Sequence, residues 1–187
     1  TPNPTVNPSS IVDILTLRYD TSIQPNLPKK SWEDFVPIDK PPSIPSIETS
    51  ICDEIESNLQ SHNSKEASIA LSGGVDSTLV LSLLRKTNPD LKINAISIKF
   101  ANSIDETPTA AKIAERFEAE HNVIQLENYL SELPKAISII KLPFWDLHWY
   151  YVVKKSKTLS KTIISGDGGD ELFAGYTFRY KKFLSLT

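Results

Sequence analysis

Methionine is missing from the 187 residues, cysteine occurs once, and glycine occurs only six times. Each scarcity excludes something. A chain that begins Thr1-Pro2-Asn3-Pro4 and holds no methionine is not expected to be an intact translation product. A single cysteine, Cys52, cannot close an intramolecular disulfide, and with no Cys-x-x-Cys and three histidines there is no zinc cluster to read. A reducing compartment fits that pattern, and the cytoplasm is the expected location. No apolar run approaches the roughly eighteen residues that cross a bilayer, and no signal-peptide pattern opens the chain, so no membrane partner is expected. Positive charge is not in excess either: 20 Lys and Arg stand against 23 Asp and Glu, which argues against nucleic acid as a partner. What remains, 40% hydrophobic and 23% charged, is an ordinary globular composition with room for about one domain.

The few glycines are informative by position. All six fall in two loops, Ser72-Gly73-Gly74-Val75-Asp76-Ser77 and Ser165-Gly166-Asp167-Gly168-Gly169-Asp170-Glu171-Leu172-Phe173-Ala174-Gly175-Tyr176. Each loop follows an apolar run that reads as a buried strand. Residues without Cβ let the backbone turn sharply and present its N–H groups to a ligand, so two such loops suggest a phosphate cradle.

Nine of the thirteen prolines lie in the first 45 residues, marking 1–45 as a poorly regular arm or interdomain segment with one strand-like run, Ile11 to Tyr19. From Ser46 onward the pattern becomes regular, and 46–187 reads as the folded domain. Ile47, Ile51, Ile55 and Leu59 recur every four residues, predicting a helix that ends near Ser61-His62-Asn63-Ser64. A strand over Ser68 to Leu71 precedes the first loop, and a helix over Val75 to Lys86 follows with Leu79, Val80, Leu83 and Leu84 on one side. Next come a strand over Ile93 to Phe100, a helix over Thr107 to Glu120 and a strand over Val123 to Leu126. Helices over Tyr129 to Ile140 and about Asp146 to Leu159 lead to a last strand, Thr162 to Ser165. Strands alternating with helices predict an α/β fold, a parallel sheet with helices on both faces, and such sheets bind ligands beyond the carboxyl ends of their strands.

In the first loop, a strand exit, two glycines and a helix start aim free amides and the positive end of a helix dipole at one spot, which favours an anion. The hydroxyls of Ser72 and Ser77 add donors. Asp76 repels phosphate unless a cation lies between them, and magnesium is the expected mediator. No glycine is followed by lysine, and no Gly-x-Gly-x-x-Gly follows the first strand, so the two common nucleotide loops are excluded. The plainer alternative is a tight strand-to-helix turn capped by Asp76 and Ser77.

Ser-Gly-Gly-Val-Asp-Ser resembles the pyrophosphate loop of the ATP pyrophosphatases, whose fold is the adenine nucleotide alpha-hydrolase-like, or PP-loop, fold. The second loop is similar to the second signature of the asparagine synthetase family, and Leu142-Pro143-Phe144-Trp145-Asp146 resembles that family's Glu-Pro-Phe-x-Asp segment. With Leu71 to Ser77 and Ile98 to Phe100, the likeness runs from about Ile47 to Tyr180. It implies an ATP-dependent carbon–nitrogen ligase that joins a carboxylate, aspartate first, to AMP, releases pyrophosphate and amidates the adenylate with ammonia. By this resemblance Leu71 and Phe100 line the adenine site, and Ser165 and Gly166 contact adenosine. Ser72, Gly73, Gly74, Asp76 and Ser77 bind pyrophosphate, and Asp76 and Asp170 meet magnesium. Asp167 and Glu171 take the catalytic positions, Asp167 orienting the attacking amine or accepting its proton; helix capping is the plainer role for Asp170 and Glu171. ATP and magnesium are the implied cofactors. A glutaminase domain or subunit and a homodimer are partners the resemblance leaves room for.

Some residues depart from the family pattern. Leu142 stands where glutamate is frequent, and His148-Trp149-Tyr150-Tyr151 replaces small polar residues beside the expected acceptor pocket, to which Asp146 and His148 are assigned. Either the acceptor is not aspartate, or these aromatics only pack a helix against the sheet. The family's downstream lysine and Arg-Val-Pro-Phe segment have no counterpart before Thr187, so the domain is expected to be truncated at its C-terminus. The rival readings are a β-lactam-synthetase-like ligase, a tRNA-modifying enzyme and a catalytically incomplete ATP-binding regulatory module.

Overall fold

Four strands form one parallel sheet in the order β3-β2-β1-β4: β1 Glu66–Ala70, β2 Lys92–Phe100, β3 Glu120–Leu126 and β4 Ile163–Ile164. The computed structural model describes residues 7–17, 21–22, 41–101, 103–140, 146–173, 175–177 and 181. Among the described residues, seven helices accompany the strands: α1 Pro8–Leu17, α2 Ile44–Ser61, α3 Val75–Thr87, α4 Thr107–Arg116, α5 Leu133–Ile140, α6 Leu147–Ser156 and α7 Gly169–Leu172.

Side-chain alternation along the strands divides the core into two layers. Ala67 and Ile69 of β1 and Ile93 and Ala95 of β2 face Ile55 and Leu59 of α2, Leu81 and Leu84 of α3, and Ala110 and Ala114 of α4. Ile98, Ile124 and Leu126 face the other way, onto Ala136 of α5 and Leu147 and Tyr151 of α6. Helices therefore cover both faces, as the alternating pattern predicts. The chain runs outward from β1 through β2 to β3, then returns over the opposite face to pair β4 with the other side of β1. The reversal of direction beside β1 opens a crevice at the carboxyl ends of β1 and β4, where the two glycine loops begin.

Four expectations change. The run beginning at Ile11 is helical through Leu17, not extended: Pro8 fits the first position of α1, and the Asn7 side chain accepts the Ser9 amide at 3.0 Å; Arg18 and Tyr19 lie outside the described residues. In α3 the buried residues are Leu81, Leu83 and Leu84, while Leu79 is 47% exposed, because the helix packs against both the sheet and α2. Helix α4 stops at Arg116 rather than Glu120. Glu118 adopts a left-handed φ of 53°, and the amides of Ala119 and Glu118 bond to the carbonyls of Ala114 and Glu115 at 2.9 and 3.1 Å, a Schellman stop that starts β3 three residues early. Helix α5 begins at Leu133, since the stretch from Asn128 is spent on turns closed by the Asn128 side chain and carbonyl.

Candidate nucleotide site

The two glycine loops touch. A Cβ on Gly166 would lie 2.7 Å from both the carbonyl carbon of Asp76 and the amide nitrogen of Ser77, and one on Gly169 would lie 2.8 Å from the Asp76 carboxylate carbon. At Gly166 the facing atoms are backbone and cannot yield, so only glycine at that position lets the second loop lie over the first turn of α3. The amides of that turn have no intrahelical acceptors, and Gly74 caps the helix without a side chain.

Serines hold the first loop in shape. The Ser72 amide donates to Ser77 Oγ at 3.3 Å, the two hydroxyls lie 3.1 Å apart, and the Gly74 amide donates to Ser72 Oγ at 3.1 Å. Thr78 Oγ1 donates to the Gly74 carbonyl at 2.7 Å. Asp76 remains exposed at the loop's mouth.

A cavity of about 430 Å³ lies in the crevice. Leu71, Ser72, Asp76, Ser77, Phe100, Ser165, Gly166, Asp167 and His148 line it, so nine of the expected site residues gather around one space. Gly73 and Gly74 instead line a neighbouring hollow of about 390 Å³ between α3 and α4, with Thr109 Cγ2 lying 3.2 Å from where a Gly73 Cβ would stand. Asp146, Asp170 and Glu171 do not line the main cavity. The Asp170 carboxylate lies against Gly175, leaving no room there for a Cβ, and Glu171 Oε1 accepts the Tyr176 hydroxyl at 2.8 Å. Among the described residues, no three His, Cys, Asp or Glu side chains gather as a metal-binding group.

The aromatic series of α6 divides. His148 and Trp149 line the cavity, their rings 6.0 Å apart. Tyr150 and Tyr151 pack away from it: Tyr150 Oη donates to Glu132 Oε2 at 2.9 Å, and Tyr151 Oη donates to the Tyr129 carbonyl at 3.0 Å. Leu142 to Trp145 lie outside the described residues.

Several lining residues carry no glycine or motif signal: Ser97, Glu106, Thr107 and Val152. Glu106 and Thr107 follow the exit of β2, and the rule that ligands gather beyond strand ends is the signal that could have found them. Near the end of β2, Lys99 Nζ lies 2.7 Å from Asp105 Oδ2. That hydrogen bond, helped by the Thr107 hydroxyl and amide, lowers Asp105 to about 2. The Lys99 charge is thus spent on the start of α4.

Residues 57–187, well over half the chain, match the family model for asparagine synthase. The chain belongs to the asparagine synthase family. It is 34% identical over 121 residues to "Asparagine synthetase [glutamine-hydrolyzing] 1" of Bacillus subtilis, an alignment covering 62% of this chain and 19% of that protein. The chain spans about a fifth of the length of the curated relatives it matches. Among solved structures, the NH3-dependent NAD synthetase of Campylobacter jejuni superposes with a TM-score of 0.50 at 22% identity, over 70% of this chain and 59% of that one. The glutamine-dependent NAD+ synthetase of Acinetobacter baumannii, solved with ADP, superposes with a TM-score of 0.55 at 15% identity, over 74% of this chain and 29% of that one. The fold is therefore the PP-loop ATPase fold, as the first loop implies. No helix among the described residues is long and apolar enough to cross a membrane.

Proposed function

We propose that this chain carries the ATP-cleaving site of an amide-forming ligase. The observation that carries the reading is the seating of Gly166 over the Asp76–Ser77 peptide, which makes one site of two loops 89 residues apart (166 − 77). Family membership supports the reaction class. In it, a carboxylate oxygen of the acceptor attacks the α-phosphorus of ATP, the bond to the bridging oxygen breaks, and pyrophosphate leaves. Ammonia then attacks the acyl carbon, passes a proton to Asp167, and AMP departs.

The proposed roles are those the resemblance implies for residues that gather around the cavity. Leu71 and Phe100 flank the adenine, Ser165 and Gly166 meet adenosine, and the Ser72–Ser77 loop with its α3 amides holds pyrophosphate. Magnesium, when bound, neutralises charge on the departing phosphates. Asp76, which lines the cavity, would hold the ion there, whereas Asp170 does not line it and lies against Gly175. Glu171, tied to Tyr176, supports α7 rather than the reacting atoms. Aspartate is the first acceptor to test, and His148 and Trp149 are the lining residues through which it is selected. The arm at 1–45, the domain at 46–187, ammonia from a glutaminase domain or subunit, and pairing as a homodimer belong to the same proposal.

The test is product analysis with ATP, magnesium, ammonia and a panel of carboxylates. AMP, pyrophosphate and asparagine formed together with aspartate support the reading. Another amide changes the acceptor alone, and ADP with phosphate in place of AMP with pyrophosphate overturns the reaction class.

A further inference from the structure

Leu71 is the last residue before the first loop, and both of its backbone polar groups are bonded to β2. Its amide donates to the Ile96 carbonyl at 2.8 Å, while its carbonyl accepts the hydroxyl of Ser97 at 2.6 Å. Ser97 is buried, lines the cavity, and lies 2.9 Å from His121 Nε2 on β3. A hydroxyl has one hydrogen and a carbonyl can only accept. The Ser97 hydrogen is therefore committed to Leu71, and His121 Nε2 carries the hydrogen that Ser97 Oγ accepts. Strands β3 and β2 and the residue that follows β1 are joined in a directed chain, His121 to Ser97 to the Leu71 carbonyl, ending where the backbone leaves the sheet for the loop.

We propose that Ser97 and His121 are positioning residues for the pyrophosphate loop, fixing the Leu71–Ser72 peptide so that the loop amides stay aimed at the phosphates. The inference rests on the ligase reading only for the identity of the ligand. Burial also holds the His121 imidazole below its usual value, so the ring is neutral near pH 7 and donates from one nitrogen. Without the Ser97 hydroxyl, a buried carbonyl and a ring N–H lose their partner, and the loop turns to recover hydrogen bonds elsewhere.

The test compares the wild type with Ser97→Ala, Ser97→Thr, His121→Ala and His121→Gln on the full chain. Titrations use ATP with magnesium, pyrophosphate and adenosine; amide exchange is followed at Ser72 and Gly74, whose hydrogens close the loop. Ser97→Ala is expected to weaken ATP and pyrophosphate about tenfold, the size of one orphaned buried partner, with adenosine changed far less. Threonine at 97 and glutamine at 121, which keep the hydroxyl and the N–H, recover most of the affinity; alanine at 121 does not. Exchange at Ser72 and Gly74 speeds up in both alanine variants before any nucleotide is added. The role is overturned if those amides exchange as in the wild type, or if ATP and adenosine weaken equally, as general destabilisation would make them. Wild-type protein that binds neither ATP nor pyrophosphate overturns the ligase reading instead, and the exchange data then judge the positioning on their own.

Discussion

Gly166 joins sequence and site most directly, because its missing Cβ is the space into which the Asp76–Ser77 peptide fits. Gly166→Ala places a carbon 2.7 Å from backbone that has no rotamer to change. Overpacking of that kind costs about 1–3 kcal/mol, so ATP affinity is expected to fall by about tenfold or more, with a lower unfolding midpoint; titration and thermal unfolding check both. His121 gives a second expectation with a definite sign. Its folded value lies below the unfolded one of about 6.5, so the native state binds the proton less readily. Stability is full above that unfolded value and declines as pH falls through the folded one. Unfolding midpoints at pH 7.5 and 5.5 are expected to differ less in His121→Gln than in the wild type. Single residues were legible where chemistry restricts identity. The glycines, serines and Asp76 marked out the first loop, whereas Ser97 and His121 carry no motif and come together only because the sheet sets their strands side by side.

Among the elements, Arg85 of α3 has the most bonds to make. Its Nε donates to the Phe117 carbonyl at 2.9 Å, Nη2 to Glu118 at 3.0 Å, and Nη1 to Pro89 at 2.6 Å and Leu91 at 2.9 Å. One guanidinium thus clamps the end of α4 to the turn that leads into β2. Arg85→Ala is expected to cost about 3 kcal/mol in urea unfolding, with lysine recovering little because a point charge cannot fill a forked site. Glu118 makes the opposite case: a left-handed residue with a Cβ is strained, so Glu118→Gly is expected to gain up to about 1 kcal/mol. These stops also explain why boundaries were less legible than elements. Periodicity located α2, α3, β2 and α4, but the end of α4 depends on a Schellman turn built on glutamate, which no glycine signals. The helix at Pro8–Leu17 was missed because its run of Ile11, Val12, Ile14 and Leu15 is short enough to suit either period.

For the whole molecule, the reversal of chain direction beside β1 decides which loops meet. Loops from β1 and β4 meet only because the chain crosses from β3 to the opposite face and returns on the far side of the first strand. Alternation of strands and helices predicts the parallel sheet, and the reversal brings together loops that lie far apart in sequence. The expected acceptor pocket was the least legible part, since the aromatic series of α6 splits by the turn of a helix: His148 and Trp149 line the cavity, while Tyr150 and Tyr151 pack with Ala136 and Leu147. Exchange of labelled pyrophosphate into ATP, with magnesium and an acceptor carboxylate, tests the central claim that the two loops form one ATP-cleaving site. Exchange that requires the acceptor and drops at least about tenfold in Asp76→Asn is the expected result. Nucleotide binding with no exchange for any acceptor, or exchange unchanged in that variant, contradicts it.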